Sequence, residues 1–255
     1  MRADCTAETY NAIILHMQQY FSDRPLAVGD EYIFTKEQAH HARDVVRLDE
    51  ETVRLVFDGK GYFGTCRRKG NEFVAVIERE DDDDRESAID VTLACALIRR
   101  EKFELILQKA AELGVNRIVP FESSRCVVHA RSEKAQKQKE RWEKILLEAA
   151  QQCKRSQIPE LTEIVSFKDL PAYRAEVSCA AYEAAGRDAV MLSEAAAGAK
   201  SVTAVIGPEG GFAEEEIAAL KENGFIPVTL GSRILRAETA AIYVCSILSE
   251  MGEKR

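Results

Sequence analysis

Two stretches near the C-terminus each read as an apolar strand, a glycine-marked turn and an amphipathic helix, and they restrict the chain to a sheet covered by helices. The first, VTAVIGPEGGFAEEEIAAL from Val202 to Leu220, turns at Gly207-Pro208-Glu209-Gly210-Gly211. The second, PVTLGSRILRAETAAIYVCSIL from Pro227 to Leu248, turns between Gly231 and Glu238. Strand-then-helix units in succession favour a parallel sheet with helices on its faces. Backbone-rich loops at neighbouring strand ends are where such sheets build small-molecule pockets.

The same alternation extends upstream. VTLACALI (Val91 to Ile98) is a continuous apolar run, as expected of a strand buried on both faces. Phe103, Ile106, Leu107 and Ala110 recur at helical spacing, with Gly114 placed to end that helix. Further strands are expected at 116–121, 177–181, 202–206 and 226–230. A long helix carries Trp142, Ile145, Leu146, Ala149, Ala150 and Cys153 on one stripe. A last helix is expected over roughly 239 to 251, capped by Thr239. Before residue 85 the character differs. Short alternating segments at 31–34, 53–57, 62–66 and 73–77, separated by Gly, Asp and Asn, suggest a small β-barrel. EQAHHARDVVRL reads as a short helix with Val45, Val46 and Leu48 turned inward, and the acidic run Asp81 to Asp84 reads as a linker. The division is therefore an N-terminal extension over 1–16, a barrel domain over 17–84 and an α/β domain over 85–255.

With 46% hydrophobic residues in 255, a sizeable core is available. The seven cysteines are spread singly without a CxxC, which fits reduced, buried thiols of a cytosolic protein rather than a disulfide framework or zinc site. No apolar run is long enough for a membrane span, and 12–17 is too short for a signal peptide. The net charge of −8 argues against nucleic acid, yet from Arg99 to Arg155 the balance turns basic. Such a local basic face suits a phosphate backbone or is a solvated helix surface.

The motifs sort by their neighbours. Gly59, Gly61 and Gly64 spell GxGxxG, but no helix follows, so a hairpin turn is expected and not a dinucleotide fingerprint. In IGPEGGF, Gly210 and Gly211 allow positive φ and close backbone approach. Glu214, Glu215 and Glu216 in the following helix turn would repel a phosphate, so an uncharged or cationic ligand fits better. In LGSRILRAETAA, Arg233 and Arg236 flank Ile234-Leu235, which could line an apolar pocket beside Glu238. The alternatives are a plain strand–helix connection and a helix start with surface arginines. His40 and His41 lack ligands at metal spacing, so no metal site is expected. No GxSxG or HExxH is present.

Taken together, MQQYF (17–21), HHARDVVR (40–47), FDGKG (57–61), EKFELILQKAAELGVNRIVPF (101–121), SSRCVV (123–128), RWEKILLEAAQQCKRSQIPEL (141–161), IGPEGGF and LGSRILRAETA resemble the 16S ribosomal RNA (uracil-N3) methyltransferase family of the SPOUT superfamily. The resemblance covers residues 17 to 250. It implies a PUA-like N-terminal barrel and a C-terminal α/β domain with a deep trefoil knot. It also implies a homodimer in the cytoplasm, S-adenosylmethionine as methyl donor, and methylation of a uridine N3 in the decoding region of the small ribosomal subunit. The same match implies that Tyr182, Ile206, Gly207, Pro208, Glu209, Gly210, Gly211, Leu230, Gly231, Ile234, Leu235, Arg236, Thr239 and Ala240 hold the cofactor. RNA would lie along His40, His41, Arg47, Arg125, Lys154 and Arg155. Arg236 would stabilise charge on the uracil carbonyls, with Glu209 or Glu238 helping to remove the proton. Ribose 2′-O-methylation, or RNA binding without catalysis, are the alternatives. The chain departs from the family pattern at Gln19 (usually arginine), at Asp49-Glu50-Glu51 (usually lysine-glycine-aspartate), at Gln151 (usually glutamate) and at Lys154 (commonly glycine).

Overall fold

A computed structural model describes residues 17–127, 132–183 and 189–253, with the side chains of 132–135 excepted. The expected extension over 1–16 lies outside the described residues. The chain divides into two compact units, the first ending at Arg85 and the second beginning at Glu86. No helix among the described residues is long and apolar enough to cross a membrane.

The smaller unit is a largely antiparallel sheet in the order β1-β3-β4-β5-β2. Its strands are β1 (Gln19–Phe21), β2 (Glu31–Ile33), β3 (Thr52–Phe57), β4 (Lys60–Lys69) and β5 (Glu72–Asp81). β1 pairs parallel with β3, whereas the β3–β4–β5 meander is antiparallel. Asp58 and Gly59 both have positive φ, 47° and 77°, and close the two-residue hairpin between β3 and β4. The GxGxxG spelling thus serves the hairpin. A Cβ on Gly61 would lie 2.5 Å from the Arg54 guanidinium, and one on Gly64 would lie 2.6 Å from the Val76 carbonyl.

Arg54 is fully buried and donates to Asp81 at 2.6 Å and to Gln19 at 2.7 Å. Asp81 also accepts from Arg85 at 2.6 Å. The acidic run is therefore not all linker, because its first member is the buried end of β5 and neutralises an interior arginine. Burial works to raise the Asp81 pKa, but the two arginines outweigh it and hold the carboxyl below its ordinary range.

The expected helix over the histidines is split. α1 (Lys36–His40), with a Thr35–Gln38 capping box, runs into a π-helical turn from His41 to Val46. The wider turn changes which residues face inward: Ala42 and Leu48 are buried, while Val45, expected inside, is exposed.

The larger unit is an all-parallel sheet in the order β12-β10-β11-β6-β7-β8, with β9 also on β7. Its elements are β6 (Asp90–Ala96), α2 (Arg100–Glu112), β7 (Arg117–Glu122), α3 (Ser132–Gln152), β8 (Glu160–Leu161), β9 (Val165–Ser166), β10 (Val177–Ala181), α4 (Leu192–Ala195), β11 (Ser201–Ile206), α5 (Glu214–Glu222), β12 (Ile226–Val228) and α6 (Ala237–Gly252). The central strands β6 and β11 are the apolar runs, almost wholly buried between helices. α2 ends where Gly114 takes φ +81°. From β6 the chain moves outward to β7, then returns to the other side for β10 and β11. In open α/β sheets such a reversal marks the ligand crevice, at the carboxyl ends of the strands.

Candidate functional site

A cleft next to that reversal is built from the ends of three strands, β10, β11 and β12. β11 delivers Ile206, after which Pro208 and Gly211 close a tight turn through a 2.9 Å bond from Gly211 N–H to Pro208 C=O. Gly211 has φ +68°. A Cβ on Gly207 would meet the Phe212 ring at 3.0 Å, and one on Gly211 would meet Glu183 Oε1 at 2.6 Å. Conformation therefore favours glycine at 211, and the Phe212 ring leaves little room for a side chain at 207. Of the three glutamates that follow, Glu214 and Glu215 are exposed. Glu216 is buried and accepts from Ala213 N–H at 2.9 Å and Ser124 N–H at 2.8 Å, tying the start of α5 to the chain after β7.

Beyond β12, Thr229 Oγ1 accepts from Gly231 N–H at 3.2 Å, and Gly231 sits at φ +111°. Arg236, not Thr239, is the N-cap of α6, and its carbonyl accepts from Ala240 N–H at 2.8 Å. The cap lies three residues earlier than the expected Thr239. Thr239 points out of the cleft lining and is exposed.

These turns enclose a cleft of about 250 Å³. Its walls are Ile206, Gly207, Pro208, Glu209 and Gly211 on one side, and Ile234, Leu235, Arg236 and Ala240 on the other. An adjoining recess of about 70 Å³ adds Tyr182, Leu230, Gly231, Thr229 and Arg233, and the two share Ala181, Glu183, Leu235 and Ala240. Most residues expected at the pocket thus meet in one place. Gly210 contributes differently: its carbonyl accepts from Arg125 at 3.2 Å. Glu183, Phe212, Ala237 and Ala181 were not singled out from sequence. For Glu183 the available signal was a carboxylate just past the end of an apolar strand.

Glu238 does not line the cleft. It is turned toward Lys102 of α2, 3.1 Å away. Burial tends to raise its pKa, but its own backbone amide, Lys102 and Arg236 together hold it lowered. A carboxylate kept ionised by a lysine is a poor proton acceptor, so Glu238 is better suited to orienting the α6 start. The buried thiols are equally unsuited to chemistry, since burial pushes Cys179 and Cys245 up to about 12.

The expected RNA-facing residues differ in exposure. Arg155 is corrected outright: it is 3% exposed. Its guanidinium donates to Glu86 at 2.7 and 3.0 Å and to the carbonyls of Val115 and Ala111 at 2.7 and 3.1 Å. Lys154 is half-buried and donates to the Gln151 carbonyl at 3.2 Å, one of the last carbonyls of α3. Arg125 is exposed beside the cleft. Much of the remaining basic cluster is paired with acids, as Arg100 and Arg141 are with Glu104 and Lys139 is with Glu163. Arg131 and His129 lie outside the described residues. In the smaller unit, Arg47 lines a shallow exposed depression with Arg43 and Arg68. His40 pairs with Asp44 at 2.8 Å, and His41 Nδ1 lies 3.0 Å from the Tyr20 hydroxyl. No group of three or more potential metal ligands is found among the described residues.

A family model described as an RNA methyltransferase domain matches residues 85–249. A ribosomal RNA small subunit methyltransferase E of Bacillus subtilis is 31% identical over 251 residues, covering 93% of this chain and 98% of the relative. Among solved structures, a Legionella pneumophila protein in complex with the bound cofactor SAM superposes with a TM-score of 0.84 at 30% identity, over 92% of this chain and 98% of its own. A ribosomal RNA small subunit methyltransferase E from Neisseria gonorrhoeae, bound to S-adenosyl methionine, superposes with a TM-score of 0.84 at 27% identity and the same coverage.

Proposed function

The chain belongs to the ribosomal RNA small subunit methyltransferase E family, and from that premise we propose that it methylates N3 of a uridine in the decoding region of small-subunit RNA, using S-adenosylmethionine. The observation that carries the reading is the cleft at the carboxyl ends of β10, β11 and β12. Its floor is apolar (Ile206, Leu230, Leu235, Ala240), its glycines admit close backbone contact, and its flanking carboxylates suit a cationic ligand better than a phosphate. When bound there, S-adenosylmethionine supplies an electrophilic methyl carbon on a positively charged sulfur.

The residues divide the remaining work. Leu230, Ile234, Leu235 and Ala240 enclose the adenine, and Gly207, Gly210 and Gly231 offer backbone groups. Arg236 donates hydrogen bonds to the uracil carbonyls as negative charge develops on the ring. Glu209 accepts the N3 proton, since a neutral imide nitrogen is a poor nucleophile. Holding base and donor in line supplies much of the rate. Arg125, adjoining the glycine turn, and His40, His41 and Arg47 of the smaller unit contact RNA, and Lys154 does so at the edge of α3.

The same reading extends to architecture. The smaller sheet is a PUA-like barrel, the β11–α5 and β12–α6 connections form a deep trefoil knot of the SPOUT type, and the active form is a cytoplasmic homodimer. The test is in vitro methylation of small-subunit particles and of naked RNA, with the modified position mapped by mass spectrometry. Methyl groups on a uridine base are expected. Methylation at ribose oxygens, or none on either substrate, would overturn the reading.

A further inference from the structure

Glu183 follows Tyr182 at the end of β10 and lines both the cleft and its recess. Its Oε1 lies across the Gly211 backbone, where a Cβ would come within 2.6 Å. A side chain at 211 would oblige that carboxylate to move. Neither Glu183 nor Glu209 makes a hydrogen bond or ion pair among the described residues. The nearby acids of α5 and α6 differ: Glu216 is held by two amides and Glu238 by Lys102. The arginines of the cleft, Arg233 and Arg236, enter from the β12–α6 loop, whereas Glu183 and Glu209 enter from the ends of β10 and β11.

We propose that Glu183 makes the cleft discriminate between the sulfonium donor and its neutral thioether product. The inference rests on the S-adenosylmethionine reading above. Transfer moves the methyl carbon from sulfur to the uracil nitrogen, the sulfur keeps the bonding electron pair, and the ligand loses one positive charge. Its adenine, ribose and amino-acid groups are unchanged, so contacts through the apolar walls and glycine backbone hold donor and product alike. A carboxylate lining a partly enclosed cleft acts on the charge itself. Product leaves more readily because that attraction ends with the reaction.

The test is calorimetric titration of the full chain with S-adenosylmethionine and with S-adenosylhomocysteine, for wild type, Glu183→Gln and Glu183→Asp. In Glu183→Gln the donor's affinity is expected to fall roughly fivefold, the scale of one charge pair at a wetted surface, while the product's is unchanged. Glu183→Asp keeps the charge and should restore most of the preference. Raising the salt should erode donor preference in wild type and leave Glu183→Gln unaffected. Because Glu183 is exposed, folding is checked simply by Trp142 fluorescence. Equal losses for donor and product would overturn the proposal, since the carboxylate would then engage a group both share. So would no loss for either. If wild type bound neither ligand, the methyltransferase reading would itself fail, a result separable from these two.

Discussion

Replacing Arg155 by methionine keeps most of its apolar length and removes its guanidinium. The guanidinium joins Glu86, at the start of the larger unit, to the end of α2 and the segment just beyond it. Exposure of the two side chains is only 4% and 12%, so water cannot easily take over. Glu86 would keep the amides of Ser156 and Gln157, at 2.9 and 3.1 Å, but lose its counter-charge. Ala111 C=O keeps the Gly114 amide at 3.3 Å, whereas Val115 C=O loses its 2.7 Å donor. Breaking a buried pair from one side costs about 3–5 kcal/mol, and the amides retained on Glu86 place this case toward the lower end. The chain has a single tryptophan, Trp142, buried against Phe103 in the larger unit, so fluorescence reports that unit alone. With a urea m-value of roughly 2 kcal/mol/M, the midpoint should fall by about 1.5 M. A surface arginine held for RNA would instead leave the midpoint nearly unmoved, within about 0.5 kcal/mol, and its loss would weaken RNA binding with a shallower salt dependence. That second pattern would refute the structural assignment. So would additivity in a cycle with Glu86→Gln, because contacting partners must couple.

Lys154 and Glu50 occupy left-handed backbone, at φ 65° and 56°, so Lys154→Gly and Glu50→Gly should each stabilise by about 0.5–1 kcal/mol; urea midpoints read by Trp142 and by tyrosine circular dichroism, respectively, check this. Asp81 has a lowered pKa in the fold, so its contribution is fully present above the ordinary carboxylate range and is lost as pH falls through the folded value. Asp81→Asn should accordingly be less stable than wild type at neutral pH, with the gap narrowing below about pH 4 in urea titrations run across the acid range and followed by circular dichroism. Arg236→Ala should lower the single-turnover methylation rate by about a hundredfold while donor affinity changes little, and an unchanged rate would remove Arg236 from the chemistry.

The parts of the fold legible in sequence are those that residue period and local chemistry decide. β6 and β11 announce themselves as apolar runs, α2 by its spacing and Gly114, and the β3–β4 hairpin by Asp58-Gly59. The parts that escaped depend on partners far along the chain. β8 and β9 are two residues each and exist because β7 pairs with both. β1 is defined by a parallel register on β3. Whether a charged residue is solvated or interior depends on a partner as well: Arg54 finds Asp81 27 positions away, and Arg155 finds Glu86 69 positions away. Periodicity carries no information about such pairs, which is why an acid of a linker and an arginine of a basic face both proved to be buried.

The site was more legible than the charges because its signal is glycine, and glycine is constrained by two separate demands. One is conformation. Glu50 and Lys154 carry side chains, and both sit near the left-handed well that ordinary residues enter at modest cost. Gly231 at φ +111° lies far outside that well, so a side chain there would be strained. The other demand is space. A Cβ at 207 would press on the Phe212 ring and one at 211 on the Glu183 carboxylate, so a side chain at either would move a wall of the cleft, and at 211 it would also strain the turn. At Gly211 both conformation and space bear on the residue, at Gly207 space does, and at Gly231 conformation does. A side chain at 207 or 211 would therefore disturb the β11 side of the cleft, and one at 231 would strain the turn after β12.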